Sequence, residues 1–229
     1  LKNDTILAHS YIQIGLTNFL LQKYDTALNF YDSAIVRFPM HKDSSILIRA
    51  IANKGNIFMY KGDYEQATKN FLTVLEYYNR VNDTVSQAKI NGTLGNLFLS
   101  KKNYKEARYH YKMSVDYFKL LNNKRGVAIC IQNLGIIDKR EEKYDSALVK
   151  FEKAAIYFNK SKQFNSLAQC YANIGEIHKI EKRNANAIEF LQKSISLFKR
   201  ANSPRDLSVA LVQLAELYVN LKDFNGAIK

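Results

Sequence analysis

The sequence predicts an all-α fold, a right-handed superhelical solenoid of antiparallel helical hairpins. Two observations point there. First, small and aromatic residues recur with a 40-residue period through the whole 229-residue chain. Gly15, Gly55, Gly95, Gly135 and Gly175 share one register, with Ala215 in the sixth place. Twelve residues after each stands Ala27, Ala67, Ala107, Ala147, Ala187 or Ala227. Nine after comes Tyr24, Tyr64, Tyr104, Tyr144, Asn184 or Phe224, and sixteen after comes Tyr31, Phe71, Tyr111, Phe151 or Leu191. Repetition on this scale is the signature of stacked supersecondary units. Second, two prolines and nine glycines are too few for a turn-rich β protein, whereas helix-forming residues abound.

Each unit reads as two helices of about 15–18 residues, since apolar residues fall three and four apart on both sides of a short polar break. In the fourth unit Val127, Ile131, Leu134 and Ile137 form one stripe. Tyr144, Ala147, Leu148, Phe151 and Ala154 form the next, beyond Glu141-Glu142-Lys143. The breaks Lys61-Gly62-Asp63 and Lys101-Lys102-Asn103 supply turn and N-cap residues. Ser203-Pro204 offers an N-cap followed by proline at the first helical position. The expected organisation is one array over 1–229, six repeats near 4–41, 44–81, 84–121, 124–161, 164–201 and 204–229, the last truncated. The expectation is eleven full helices and a twelfth beginning, in a segment of a longer protein.

The small residues have a physical task. Two helices approach to about 8 Å only where side chains are absent or are methyl groups. Glycine on the first helix and alanine on the second are therefore expected to mark the closest approach, with the aromatics filling the wedge between hairpins. A lone hairpin cannot bury both faces, but a stack can. Cys130 and Cys170 occupy equivalent repeat positions and read as buried free thiols, because neighbouring helix axes lie about 8–10 Å apart and a disulfide needs Cα atoms within about 7 Å.

The order of glycine, aromatic, alanine and aromatic resembles the tetratricopeptide repeat family over the whole chain. A large residue four before the glycine (Tyr11, Ile51, Tyr171) and a proline closing the second helix (Pro39) fit its pattern. The departures are a 40-residue rather than a 34-residue unit, Asn184 in an aromatic place and Asn91 in an apolar one. The six extra residues add about 4.5 Å to each helix. This longer form resembles the repeats of kinesin light chains, spindle-orientation adaptors and bacterial peptide-sensing regulators, all binding modules.

The resemblance implies that first helices line a concave groove. The residues expected to bind a peptide there are Arg49, Asn53, Asn56, Lys89, Asn96, Asn133, Lys139, Gln169, Asn173 and Lys179. The column Gln13, Asn53, Thr93, Asn133, Asn173, Gln213 carries an amide in five of six units. Asparagine is a mediocre helix former, so its recurrence needs a reason. An amide both donates and accepts, as a bound peptide backbone requires; bonding within the protein is the other reading. Of the carboxylate clamp of chaperone-binding family members only Asn53 and Lys89 match, while Ile12, Leu16 and Thr93 occupy its other places, so chaperone tails are not the expected ligand.

The net charge of +13 favours an acidic partner. A basic row at the hairpin turns (Lys23, Lys61, Lys101, Lys102, Lys143, Lys182, Arg183, Lys222) reads as a solvated rim. Nucleic acid is the weaker expectation, because the aromatics recur at core positions rather than exposed ones. No catalytic acid, base or nucleophile set converges, His9, His41, His110 and His178 are scattered without metal-ligand spacing, and no phosphate-cradling loop occurs, so neither catalysis nor a cofactor is expected. No apolar run reaches the roughly 18 residues that span a bilayer. The segment reads as soluble, with cytoplasm favoured over periplasm. The apolar end after Ala215 should pair with a second copy or fray.

Overall fold

The computed structural model describes residues 2–37 and 44–222. They form eleven α-helices and no strand. In chain order these are α1 (Lys2–Leu20), α2 (Tyr24–Arg37), α3 (Ser44–Lys61), α4 (Tyr64–Arg80), α5 (Thr84–Ser100) and α6 (Tyr104–Leu120). There follow α7 (Lys124–Arg140), α8 (Tyr144–Lys160), α9 (Phe164–Ile180), α10 (Asn184–Arg200) and α11 (Pro204–Asn220). The expected twelfth helix, with Phe224 and Ala227, and the helix-closing Pro39 lie outside the described residues. The chain divides into two compact units, Leu1–Tyr117 and Phe118–Lys229. In the first, α1 packs on α2, α3 on α4, and α2 and α4 on the helices that follow them. In the second, α7 packs on α8, α9 on α10, and α10 on α11.

The helix lengths follow from a regularity finer than the 40-residue period. Gln22, Gly62, Asn82, Lys102, Asn122, Glu142, Lys162, Lys182, Asn202 and Lys222 all have φ between 50° and 78°. One left-handed residue thus closes nearly every described helix at a 20-residue spacing, and the amide after it returns to a carbonyl of the last turn, as Asn103 N does to Phe98 O at 2.9 Å. Only Gly62 takes this conformation without steric cost. Asp63, Asp83 and Asn123 then cap the following helices, accepting from Gln66 N, Ser86 N and Gly126 N at 2.9–3.1 Å. Pro204 opens α11 as expected, but Ser203 makes no side-chain cap bond to the backbone. Its hydroxyl donates instead to Asp206 Oδ2 at 2.7 Å.

The recurring glycines face the second helix of their own hairpin, but their partner is not the alanine. A Cβ at Gly15, Gly55 or Gly95 would sit 2.6 Å from the ring of Tyr31, Phe71 or Tyr111. At Gly135 and Gly175 it would meet Phe151 and Leu191 at 3.0 Å. The large side chain sixteen residues on, a ring in four of the five, therefore packs against bare backbone, and the expectation of glycine against alanine is corrected. Ala27, Ala67, Ala107, Ala147 and Ala187 are fully buried one turn earlier on the same face. Cys130 and Cys170 are free and buried, and burial pushes the Cys170 thiol up to about 12.

Candidate functional site

The amide and basic residues singled out from the sequence all fall on first helices. In the first unit α1 lies beside α3. Arg49, on α3, and Lys89, on α5, are exposed, while Asn53 and Asn56, both on α3, are half-buried. Asn53 stands by the buried Tyr31 hydroxyl, whose pKa is raised by burial and drawn partly back by that side chain. Asn96 accepts from the Tyr111 hydroxyl at 2.6 Å, so one expected ligand amide also tethers a core ring. Lys54, in the same stretch of α3, pairs with Asp32 of α2.

In the second unit α7 lies beside α9, and α9 beside α11. Lys139 Nζ, its side chain only 10% exposed, reaches from α7 to α9, donating to Asn173 Oδ1 at 2.6 Å and Glu176 Oε2 at 2.5 Å. Lys179 repeats the step from α9 to α11, meeting Glu216 Oε2 at 2.8 Å. Gln132 Nε2 donates to Gln169 Oε1 at 3.3 Å, again 37 residues on. Asn173 Nδ2 is returned to Gln169 O at 2.8 Å. Asn133, on α7, is half-buried and has partners of its own. Lys139 and Lys179 thus do not present bare charge: each is answered by a glutamate of the next first helix. The expected binding residues included both lysines and neither Glu176 nor Glu216, their partners. The signal was the offset, since a lysine four after one glycine and a glutamate one after the next are always 37 apart.

Between α9 and α11 this ladder leaves a cavity of about 170 Å³. Gln169, Asn173, Glu176, Asp206 and Gln213 give it polar walls, with Phe198 and Val209 beside them. Gln213 Oε1 is buried and has no hydrogen-bond partner among the described residues. An acceptor so placed favours a donor, because an unmatched buried polar group costs about 1–3 kcal/mol.

Elsewhere much of the polar core is satisfied by the protein itself, though the Tyr31 hydroxyl, His178 Nδ1 and Glu181 Oε2 are also buried without a hydrogen-bond partner among the described residues. His110 Nδ1 lies 2.9 Å from Asn91 Oδ1, and its ring stacks on Phe98 at 5.4 Å. Asn91 accordingly fills its apolar register as half of a buried pair. Burial lowers the pKa of His110, opposed by Glu106, and burial with Arg183 lowers that of His178. The buried Asp138 accepts from Lys150 and Ser146 inside its own hairpin. The turn lysines and Arg183 are exposed; Lys143 pairs locally with Glu141 at 2.8 Å, and Lys61 reaches Asp25 of the preceding hairpin at 2.7 Å. Among the described residues no three His, Cys, Asp or Glu side chains could hold a metal, and no helix is long and apolar enough to cross a membrane. His41 lies outside the described residues.

Stacked hairpins with glycine against a ring sixteen residues on define a tetratricopeptide-like helical-repeat protein, and the chain belongs to that class. Residues 47–119 match the tetratricopeptide repeat family model. Residues 95–229, more than half of the chain, match the model of the soluble NSF attachment protein (SNAP) family, and by this longer match the chain belongs to the family that model describes. No curated protein matches the sequence. Solved structures share the fold. A signal-transduction ATPase with a tetratricopeptide repeat sensor, from Pyrococcus horikoshii, is 18% identical at a TM-score of 0.84 over 98% of this chain and 35% of its own. Aspartyl phosphate phosphatase F from Bacillus subtilis is 16% identical at 0.81, over 98% of this chain and 68% of its own. A Rap protein complexed with Competence and Sporulation Factor is 13% identical at 0.70, over 96% and 72%.

Proposed function

We propose that the chain is a non-catalytic protein- or peptide-binding scaffold, one array of six repeats, that binds through the face of its first helices. The observation that carries this reading is the amide-walled cavity between α9 and α11, with its unpartnered Gln213 Oε1. A peptide N–H supplies the missing donor once the Gln213 amide turns into the cavity, and Gln169 and Asn173 exchange their bonds within the ladder for bonds to the ligand. Asn133, Lys139 and Lys179 extend the surface in the second unit, and Arg49, Asn53, Asn56, Lys89 and Asn96 form its counterpart in the first. Acidic side chains of the ligand exchange with Glu176 and Glu216 for Lys139 and Lys179, so the net charge of +13 favours an acidic partner. Self-association through exposed Val209 and Val212 on α11 belongs to the same reading and is tested by sedimentation.

A second reading, the ligand-sensing part of a bacterial regulator, is favoured by the fold shared with a Rap protein complexed with a named factor and with a repeat described as a sensor. The test is a peptide selected by display on the immobilised chain. The triple variant Asn53→Ala, Asn133→Ala, Asn173→Ala should bind it at least about tenfold more weakly, as hydrogen bonds of about 0.5–1.5 kcal/mol each imply, with its helical signal kept and its melting lowered only by the loss of bonds such as that from Lys139 to Asn173. Reversal at Lys101→Glu and Lys102→Glu should matter far less. The opposite pattern would move the site to the turns.

A further inference from the structure

A larger cavity, of about 330 Å³, opens in the second unit away from the first-helix face. Its walls come from the end of α6 (Phe118), the first half of α7 (Val127, Ala128, Ile131) and the last turns of α8 (Tyr157). The size lies at the low end of the roughly 300–1,000 Å³ typical of ligand pockets, enough for a bulky side chain. Three lysines stand around it, Lys119, Lys124 and Lys153. Lys124 and Lys153 are exposed and form no ion pair with another described residue.

The sequence of this repeat builds the cavity. A Cβ at Gly126 would lie 2.4 Å from the Phe118 ring, so only glycine lets that ring form the wall. The equivalent place in the second repeat has Ile46. There the described counterparts of its walls, Leu47, Ile48, Ile51, Thr73 and Tyr77, line a cavity of about 160 Å³. Ile48 stands where the fourth repeat has Ala128, and Thr73 where it has Lys153. In the fifth repeat Phe164 replaces Lys124, and Arg200 lies over its ring at 3.9 Å. Ala128 and Lys153 thus set the fourth repeat apart from the second, and Gly126 and Lys124 set it apart from the third and fifth as well, where Ser86 and Thr84, and Ser166 and Phe164, stand instead.

We propose that this cavity is a second docking site, which takes one bulky apolar side chain from an acidic segment of a partner protein, the flanking carboxylates meeting Lys124 and Lys153. An apolar anchor in a pocket with a charged rim is the arrangement in which burial supplies affinity and charge selects the partner. The site is independent of the first-helix face.

The chain contains no tryptophan, so a tryptophan-bearing probe reports its own burial without background. The probe is the capped peptide Glu-Asp-Trp-Leu-Glu-Asp, with Lys-Lys-Trp-Leu-Lys-Lys as charge-reversed control, followed by fluorescence anisotropy and blue shift. The acidic peptide should bind saturably and weaken with added salt, and the basic one should not bind. The double variant Ala128→Ile, Lys153→Thr imports the residues of the second repeat, which this fold already accommodates. It should lose at least about tenfold in affinity, equivalent to about 1.4 kcal/mol, while keeping its helical signal and a cooperative melt. The pair Asn133→Ala, Asn173→Ala should leave binding of this probe intact, which separates the site from the first-helix face. Absence of saturable binding up to about millimolar peptide, equal binding of the basic peptide, or undiminished binding to the double variant would overturn the proposal.

Discussion

Gly95→Ala adds one methyl group to α5, and its cost can be worked from the contact it makes. The new Cβ would lie 2.6 Å from Tyr111 Cδ1 and Cε1 and 2.9 Å from Cγ. The ring cannot swing aside, because it is buried and its hydroxyl is tied to Asn96 Oδ1 at 2.6 Å. Overpacking of a tight core costs about 1–3 kcal/mol, and an immovable ring at this distance belongs at the upper end. The gain in helix propensity from glycine to alanine returns about 1 kcal/mol, leaving a loss of about 2 kcal/mol. Gly135→Ala is the matched control. There the methyl would meet Phe151 at 3.0 Å, and that ring carries no hydroxyl tether, so a few tenths of an ångström of adjustment suffice and the net change should be near zero. Urea titrations followed by circular dichroism at fixed protein concentration would measure both. Equal stability of the two variants, or a Gly95→Ala protein more stable than its parent, would refute the packing reasoning.

Lys102→Gly and Glu142→Gly each relieve a left-handed residue at a helix end and should stabilise by about 0.5–1 kcal/mol. Gly62→Ala, at φ 78° with open space around it, should lose a similar amount through backbone strain alone, and thermal melts would check all three. His110 and His178 have folded pKa values below their ordinary 6.5, so the unfolded chain binds protons first. Stability should be level above about pH 6.5 and fall as pH drops through the interval below it. Replacing both histidines with glutamine should flatten that slope, and an unchanged slope in denaturant titrations at stepped pH would contradict the assignment.

The repeat, and with it the helix count over the described residues, could be read from sequence because glycine, alanine and aromatic columns coincide at one period. What glycine packs against could not. Tyr111 and Ala107 are one turn apart on the same face of α6, and which of them lies opposite Gly95 depends on the axial offset of two helices, which spacing does not encode. The left-handed residues were hidden for a different reason. Gln22, Asn82, Lys102 and Glu142 share a backbone conformation but no side-chain chemistry, since the 20-residue helix-turn unit imposes it. The amide column was legible, whereas its pairing was not. Lys139 and Glu176 belong to different columns and meet only because neighbouring first helices are offset by three residues from the 40-residue register. The cavity beside Gly126 escaped notice because that glycine is outside the repeating column.

The most direct test of a binding role for the first helices is a footprint. Amide and methyl NMR spectra of the chain, recorded with and without a peptide selected on it, locate the contact without presuming any residue. The account predicts perturbed signals from Asn133, Gln169, Asn173 and Gln213 on α7, α9 and α11, with those of Lys101, Lys102 and Lys182 at the turns unmoved. Shifts confined to the turns would contradict it.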